Sequence, residues 1–203
     1  MNTLETNLHT IATFSEDGSK RYLLQKVWEP KLPKLTIIMV APSTASAVAL
    51  DTTTQLVLNN ASRLGFGTVA IVNLFATLND FTLKEAETED ADNLKVIVQE
   101  AEKADVVVYA AGIGKAKQKS FQLRQQQVLN ALRPYEGKLN CLTNENGNAR
   151  LQHPLSPAVR TWFLSPLKIE ELLPEPKKME PTPEPVKEKK PLVRVVKKDA
   201  PTK

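Results

Sequence analysis

Short, unbroken apolar runs alternate with longer amphipathic stretches along this chain. The run from Leu35 to Val40 is rich in β-branched residues, as is typical of a strand buried on both faces. Comparable runs at 68–74, 105–111 and 139–142 predict three more strands. Continuous apolar strands of this kind occupy the interior of parallel sheets, so we expect these four strands to form the centre of the fold.

The stretches between the strands carry apolar residues at helical spacing. They cover residues 52–64, 93–104 and 118–132 and predict amphipathic helices. An alternation of strands and helices indicates an α/β fold, and we predict a three-layer α/β/α arrangement around a central, mainly parallel four-stranded sheet. Asp17-Gly18 followed by the apolar stretch 21–28 predicts an additional N-terminal hairpin.

Composition divides the chain into three parts. We expect an N-terminal extension over residues 1–20, the α/β domain over 21–168 and a tail rich in Pro, Lys and Glu over 169–203. From Pro174 onward the apolar content is too low to offset the entropy of ordering, which predicts disorder. This basic tail is a candidate binding segment for a protein partner.

Charge and cysteine content narrow the class of protein. The net charge of +4 is compatible with a polyanionic partner such as DNA or a nucleotide. The single cysteine, Cys141, rules out an internal disulfide and a multi-cysteine metal site. The chain carries neither a run of about 20 apolar residues nor a signal-peptide pattern. We therefore expect a cytoplasmic protein with no membrane partner, no metal and no cofactor.

Polar or turn-forming residues stand where each predicted strand ends. Because the carboxyl ends of parallel strands meet at one edge, these residues are expected to line a common crevice. They are Pro42, Ser43 and Thr44 after the first strand, Asn73 after the second, Gly112 and Gly114 after the third, and His153 and Ser156 after the fourth.

Two of these residues carry recognisable chemistry. Asn73 ends an otherwise apolar strand, where its amide needs a partner, supplied either by a ligand or by neighbouring backbone. His153 lies in a Pro-rich turn that can present its imidazole as a hydrogen-bond donor or proton carrier, although a surface position is also open. Asp51 and Asp80 are candidate bases, or solvated carboxylates. The chain lacks a G-x-S-x-G elbow, a Walker A sequence and a full G-x-G-x-x-G.

The strand ends together resemble the uracil-DNA glycosylase superfamily over about residues 20–165. Val40-Ala41-Pro42-Ser43 resembles its first motif, Val72-Asn73-Leu74-Phe75 its base-reading asparagine, and His153-Pro154-Leu155-Ser156 its closing motif. The stretch 106–114 is similar to its third strand and glycine turn. The chain resembles still more closely a domain family of unknown function, number 1643, through the segments 41–45, 51–53, 73–76 and 153–155.

The resemblance to the glycosylases implies extrusion of a base, modified or not, and hydrolysis of its N-glycosidic bond. It implies that Asn73 contacts the base edge and that His153 stabilises charge on the departing base. The implied contacts to substrate come from Ala41, Pro42, Ser43, Thr44, Phe75, Gly112, Gly114 and Ser156. The implied contacts to the nucleic-acid backbone come from Lys115, Lys117, Lys119 and Arg124.

One position departs from the superfamily pattern. Ala41 stands where many members carry the Asp or Asn that positions water, so Asp51 or Asp80 would have to replace it. The alternative is a non-catalytic nucleotide- or nucleic-acid-binding protein of the same fold, or an interaction protein that recruits a partner through its tail.

Overall fold

The computed structural model describes residues 1–43, 48–78, 90–112 and 117–173. Residues 1–173 form one compact unit. The predictions for Thr44, Asp80, Gly114, Lys115 and the tail from Pro174 lie outside the described residues. In the part of the chain that the structure describes, no helix is long and apolar enough to cross a bilayer.

Seven strands and three α-helices follow one another in the described part of the chain. The strands are β1 His9–Phe14, β2 Arg21–Val27, β3 Lys34–Met39, β4 Thr68–Asn73, β5 Val106–Tyr109, β6 Leu139–Thr143 and β7 Phe163–Pro166. The helices are α1 Thr52–Arg63, α2 Ala91–Lys103 and α3 Lys119–Ala131, with short 3-10 helices at Arg133–Lys138, Pro157–Val159 and Ile169–Glu171.

The predicted central, mainly parallel four-stranded sheet is wrong, because the strands form one mixed seven-stranded sheet in the order β1-β2-β4-β3-β5-β6-β7. Strand β3 runs parallel to both β4 and β5, and β5 runs parallel to β6. The hairpin β1-β2 joins the sheet through antiparallel pairing of β2 with β4, and β7 pairs antiparallel with β6. Strand β1 is mostly exposed, and β7 is four residues long with no buried residue, so their apolar signal in the sequence is weak.

Two apolar clusters lie on opposite faces of this sheet. The first contains Ile97 and Ala101 of α2 with Phe121 and Leu129 of α3. The second contains Val57 and Ala61 of α1, together with Trp162. Successive residues of a strand point to opposite faces, so Ile38 belongs to the first cluster and Ile37 to the second.

The clusters fix where the connections run. Helix α1 links β3 to β4 on one face, and α3 links β5 to β6 on the other. Since β3 and β5 are neighbours and their following segments leave toward opposite faces, the chain separates between their carboxyl ends. This is the topological switch point at which α/β sheets bind ligands.

Candidate functional site

The segment after β3 forms one wall of the site. Ala41 is half-buried and Pro42 is buried. The backbone carbonyl of Ser43 accepts a hydrogen bond from Nη1 of Arg21 at 3.4 Å. This contact ties the turn after β3 to strand β2, two strands away in the sheet.

Asp51 begins helix α1 from the same wall. It is the N-cap residue, and its Oδ1 accepts the backbone N–H of Thr54 at 2.7 Å. Burial raises the pKa of Asp51, but hydrogen bonds from the side chain and backbone of Thr54 lower it. The Ser43 hydroxyl and the Arg21 charge lower it further, so the net pKa lies below its usual value. Asp51 is therefore a stable anion and a weak base.

Arg21 is a charged residue of this site that the sequence pattern did not single out. It is 2 % exposed, and its backbone N–H is anchored by the carbonyl of Ala76 at 2.9 Å. Burial lowers the pKa of Arg21, and the nearby carboxylate of Asp51 opposes that shift. Arginine remains protonated in proteins, so the buried Arg21 carries a positive charge that the half-buried Asp51 carboxylate partly compensates.

Arg21 lies next to an irregularity in the pairing of β1 with β2, which is visible only in the structure. The β1-β2 register shifts between Thr13 and Phe14, so that Phe14 pairs with Arg21 while Thr13 pairs with Leu23. A bulge of this kind changes the direction of side chains near it. Periodicity alone places Arg21 at the exposed start of a strand, and no local signal in the sequence marks the bulge.

Asn73 is the last residue of β4 and is 1 % exposed. It pairs with Met39, so its side chain lies on the α1 face of the sheet. Its backbone carbonyl accepts a hydrogen bond from Nδ2 of Asn93 at 3.0 Å, but its own Nδ2 has no hydrogen-bond partner within the described part of the chain. The amide thus keeps a donor that neighbouring backbone does not satisfy.

His153 reaches the switch point because Gly112 allows it. Gly112 follows β5 with a φ of +69°, and a Cβ placed on it would lie 3.3 Å from the Cβ of His153. Nδ1 of His153 accepts the backbone N–H of Leu155 at 3.2 Å. In the neutral ring the proton is therefore on Nε2, which is left as the donor.

The electrostatics of His153 connect it to Asp51. Burial lowers the pKa of His153, and the carboxylate of Asp51 raises it by a smaller amount. The net pKa is below 6.5, so the imidazole is neutral at pH 7. The structure thus brings Ser43, Asp51, Gly112 and His153 together with Arg21 at the ends of β3 and β5.

Other predicted site residues are held by contacts of their own. The Ser156 hydroxyl donates to Oε1 of Gln152 at 2.7 Å, and its backbone N–H donates to the carbonyl of His153. Phe75 is 2 % exposed and packs in the cluster on the α2 and α3 face. Its ring has no exposed face on which a base could stack, although its contact with substrate stays a prediction.

Three of the four cationic residues expected to contact a nucleic-acid backbone are described, and they differ in burial. Lys117 and Lys119 are exposed. Arg124 is fully buried, and its guanidinium donates to the carbonyls of Leu74 and Asp90 at 2.8 and 3.2 Å. Arg124 therefore anchors helix α3 in this structure, and its contact with a nucleic-acid backbone stays a prediction.

The chemistry available to the site is electrostatic and hydrogen-bonding. Among residues 1–43, 48–78, 90–112 and 117–173, no three His, Cys, Asp or Glu side chains converge as metal ligands. The arrangement offers an amide donor at Asn73, a neutral imidazole donor at His153 and a fixed negative charge at Asp51. Such a set can bind a neutral polar group and stabilise opposite charges that develop on it.

Comparison with known proteins identifies a family. The model of the family described as "Protein of unknown function (DUF1643)" matches residues 21–155, which contain β2 to β6 and all the residues just placed at the switch point. No curated protein and no solved structure matches the chain.

Proposed function

Since the chain belongs to the DUF1643 family, whose description assigns no activity, we propose from the site itself that it is a DNA glycosylase-like protein. In this proposal it binds an extruded base at the carboxyl ends of β3, β4 and β5 and hydrolyses the N-glycosidic bond. The single observation that carries the proposal is the buried amide of Asn73, whose Nδ2 has no hydrogen-bond partner within the described residues.

The amide of Asn73 suits the edge of a base. An unsatisfied buried donor costs about 1–3 kcal/mol, and this cost is recovered when a ligand supplies an acceptor. Base carbonyls and ring nitrogens are such acceptors, and base-flipping enzymes read the extruded base through hydrogen bonds to its edge. The resemblance in the Val72 to Phe75 motif gives Asn73 this role.

His153 supports the departure of the base. When the bond from the sugar C1′ to the base nitrogen breaks, both electrons go to the base. Water then adds its hydroxyl to C1′, and the proton that it loses passes through solvent to the departed base. A neutral imidazole with its proton on Nε2 can donate a hydrogen bond to the negative charge that develops on the base. Burial keeps the ring neutral, and this protonation state suits a donor that needs no proton transfer.

Asp51 supports the positive charge that develops on the sugar. Its carboxylate is already bonded to Thr54 and lies in the field of Arg21, and its lowered pKa makes it a poor proton acceptor. A fixed anion of this kind can stabilise an oxocarbenium-like sugar, as a carboxylate does in glycoside hydrolysis. We therefore assign Asp51 a charge-stabilising role and not that of a general base.

The same features favour a second candidate, a protein that binds a base or nucleotide without cleaving it. Ala41 supplies no group to position water, and the carboxylate of Asp51 is occupied as a helix cap. In this second candidate Asn73 and His153 still contact the base, and only the hydrolytic step is missing.

The test uses the purified full-length chain with oligonucleotides that carry uracil or modified bases. Alkali after incubation converts each abasic site into a strand break that gel electrophoresis detects. We expect cleavage of at least one substrate, with large losses in Asn73→Ala and His153→Ala. The matched controls are Asn59→Ala and His9→Ala, which replace the same residue types at exposed positions.

The possible results separate the two candidates. Cleavage lost in the two site variants but kept in both controls supports the glycosylase. Binding that depends on Asn73, without cleavage of any substrate, supports the non-catalytic protein. If all four variants bind and cleave like the wild type, the site at the strand ends neither binds a base nor hydrolyses its bond to the sugar.

A further inference from the structure

Strands β4, β5 and β6 each end on a buried polar residue with an unsatisfied atom. These atoms are Nδ2 of Asn73, the hydroxyl of Tyr109 and Oγ1 of Thr143, none of which has a hydrogen-bond partner within the described residues. Buried polar groups are almost always paired, so three exceptions at the carboxyl ends of parallel strands require an explanation. Asn73 belongs to the site already described, whereas Tyr109 and Thr143 do not.

Tyr109 and Thr143 lie together on one face of the sheet. Tyr109 pairs with Cys141, so Thr143 is two residues further along the neighbouring strand and points to the same side. From the strand spacing and the rise per residue, their Cα atoms are about 8 Å apart. Tyr109 and Cys141 pack with Phe121 of α3, which places this pair on the opposite face from Asp51 and α1.

This placement makes Tyr109 the other wall of the switch point. Asp51 begins the helix that leaves β3 toward one face, and Tyr109 ends β5, the adjacent strand, on the other face. Asn73 and Tyr109 end strands that are separated only by β3, so their Cα atoms are about 10 Å apart, while their side chains lie on opposite faces of the sheet and meet only around the carboxyl end of β3. One ligand lying across the carboxyl edge can therefore contact both residues.

The chemistry of the pair is neutral. Burial raises the pKa of the Tyr109 phenol far above neutral pH, so the phenol remains protonated. A phenol and a threonine hydroxyl each offer one donor and acceptor lone pairs, and neither carries charge. Phosphate sites use cations or backbone N–H groups, and divalent-metal sites use carboxylates, so a pair of hydroxyls suits a ligand with uncharged oxygen atoms.

We propose that Tyr109 and Thr143 form a second binding subsite at the ends of β5 and β6, which takes the sugar of the nucleoside whose base contacts Asn73, with the two hydroxyls donating to its uncharged ring and ether or hydroxyl oxygens. This inference rests on the proposed function, which it extends from the base to the sugar. It predicts that the hydroxyls of Tyr109 and Thr143 contribute to ligand affinity while contributing nothing to the stability of the unliganded protein.

The experiment titrates deoxyuridine and deoxyadenosine into the full-length chain by calorimetry and measures unfolding of the same samples without ligand. The variants are Tyr109→Phe and Thr143→Val, which remove only the hydroxyls. Tyr135→Phe, at a half-buried tyrosine outside the strand ends, is the matched control. We expect each variant to bind about tenfold more weakly, the effect of about one hydrogen bond, with unchanged or higher stability. The control should match the wild type.

The outcomes separate this inference from the proposed function. Unchanged affinity in Tyr109→Phe and Thr143→Val overturns the subsite, even if Asn73→Leu abolishes binding and so supports the base site. Loss of stability in the two variants also overturns it, because the hydroxyls would then serve the fold through internal water. Weaker binding in Tyr109→Phe with normal binding in Asn73→Leu supports the subsite and contradicts base reading by Asn73. Absence of nucleoside binding to the wild type overturns the inference.

Discussion

Gly112 and His153 are in direct contact across the ends of β5 and the loop after β6. A Cβ at Gly112 would lie 3.3 Å from the Cβ of His153 and 3.6 Å from its backbone nitrogen. The first distance is shorter than nearly all Cβ contacts in proteins, whereas the second is an ordinary van der Waals distance. The position of the imidazole at the switch point therefore depends on a residue without a side chain at 112.

Gly112→Ala should move His153 and reduce function more than stability. The new methyl group meets His153, and the φ of +69° adds strain of about 1–2 kcal/mol for any residue with a Cβ. Gly147→Ala is the matched control, because Gly147 has a φ of +73° and open space around its Cβ position. Urea unfolding should show a similar loss in both variants, whereas base binding should fall only in Gly112→Ala. Equal binding of a base by the two variants would show that the close approach of Gly112 to His153 does not support binding.

Asn73→Leu should leave the fold intact while it abolishes base binding. The amide nitrogen of Asn73 makes no hydrogen bond to described residues, so an apolar side chain of similar size removes an unsatisfied donor. Asn93→Leu is the contrast, because Nδ2 of Asn93 donates to the carbonyls of Asn73 and Leu74. We expect a stability change within about 1 kcal/mol for Asn73→Leu and a loss of about 2 kcal/mol or more for Asn93→Leu. A large loss in Asn73→Leu would show that its amide supports the fold.

The two roles of Asp51 can be separated by its replacements. Asparagine caps a helix as well as aspartate does, so Asp51→Asn keeps the cap of α1 and removes only the charge beside Arg21. Asp51→Ala removes both, and loss of the cap alone costs about 1 kcal/mol. We expect chemical denaturation to show a clear loss in Asp51→Asn, because Arg21 is then buried without its compensating charge, and a further loss in Asp51→Ala. Wild-type stability in Asp51→Asn would contradict the charge pairing.

The titration of His153 should make stability depend on pH. Its folded pKa lies below the usual 6.5, so the unfolded chain binds more protons between the two values. The stability linked to this group is complete above pH 6.5 and is lost as the pH falls through the folded pKa. Urea unfolding from pH 8 to 5 should show this loss in the wild type and a smaller loss in His153→Gln. In an NMR titration, Asp51→Asn should lower the pKa of His153, because the carboxylate raises it. An upward shift of the His153 pKa in Asp51→Asn would show that the carboxylate of Asp51 does not raise it.

Lys117, Lys119 and Arg124 should respond differently to removal of their charges. If the protein binds nucleic acid, Lys117→Gln and Lys119→Gln should each reduce the slope of log K against log salt by about 1, and Lys117→Gln should do so without loss of stability. Arg124→Met should instead lower the free energy of unfolding by about 3 kcal/mol, because the carbonyls of Leu74 and Asp90 each lose one of their hydrogen bonds. Its salt slope should equal that of the wild type. A reduced salt slope in Arg124→Met would support the predicted contact of Arg124 with a nucleic-acid backbone.

The periodicity of the sequence located most helices and buried strands because burial of those elements is nearly uniform. Helix α1 was expected at 52–64 and lies at Thr52–Arg63, and β4 was expected at 68–74 and lies at Thr68–Asn73. The sheet order was not predictable in the same way. Pairing of β2 with β4 and addition of β7 join segments far apart in sequence, and β7 itself has only a short, half-exposed pattern.

The sequence by itself determined which local segments present candidate site residues: Asn73 at the end of an apolar strand, Asp51 before a helix and His153 in a Pro-rich turn. Local hydrophobic spacing and capping chemistry reveal such features because they depend only on near neighbours. The tertiary structure alone decided that the charge of Arg21 lies near the carboxylate of Asp51 and that Arg124 is buried. It also decided that Tyr109 and Thr143 lie on the same face of the sheet. Those relationships arise from strand order, a register shift and helix packing, all of which depend on contacts between distant parts of the chain.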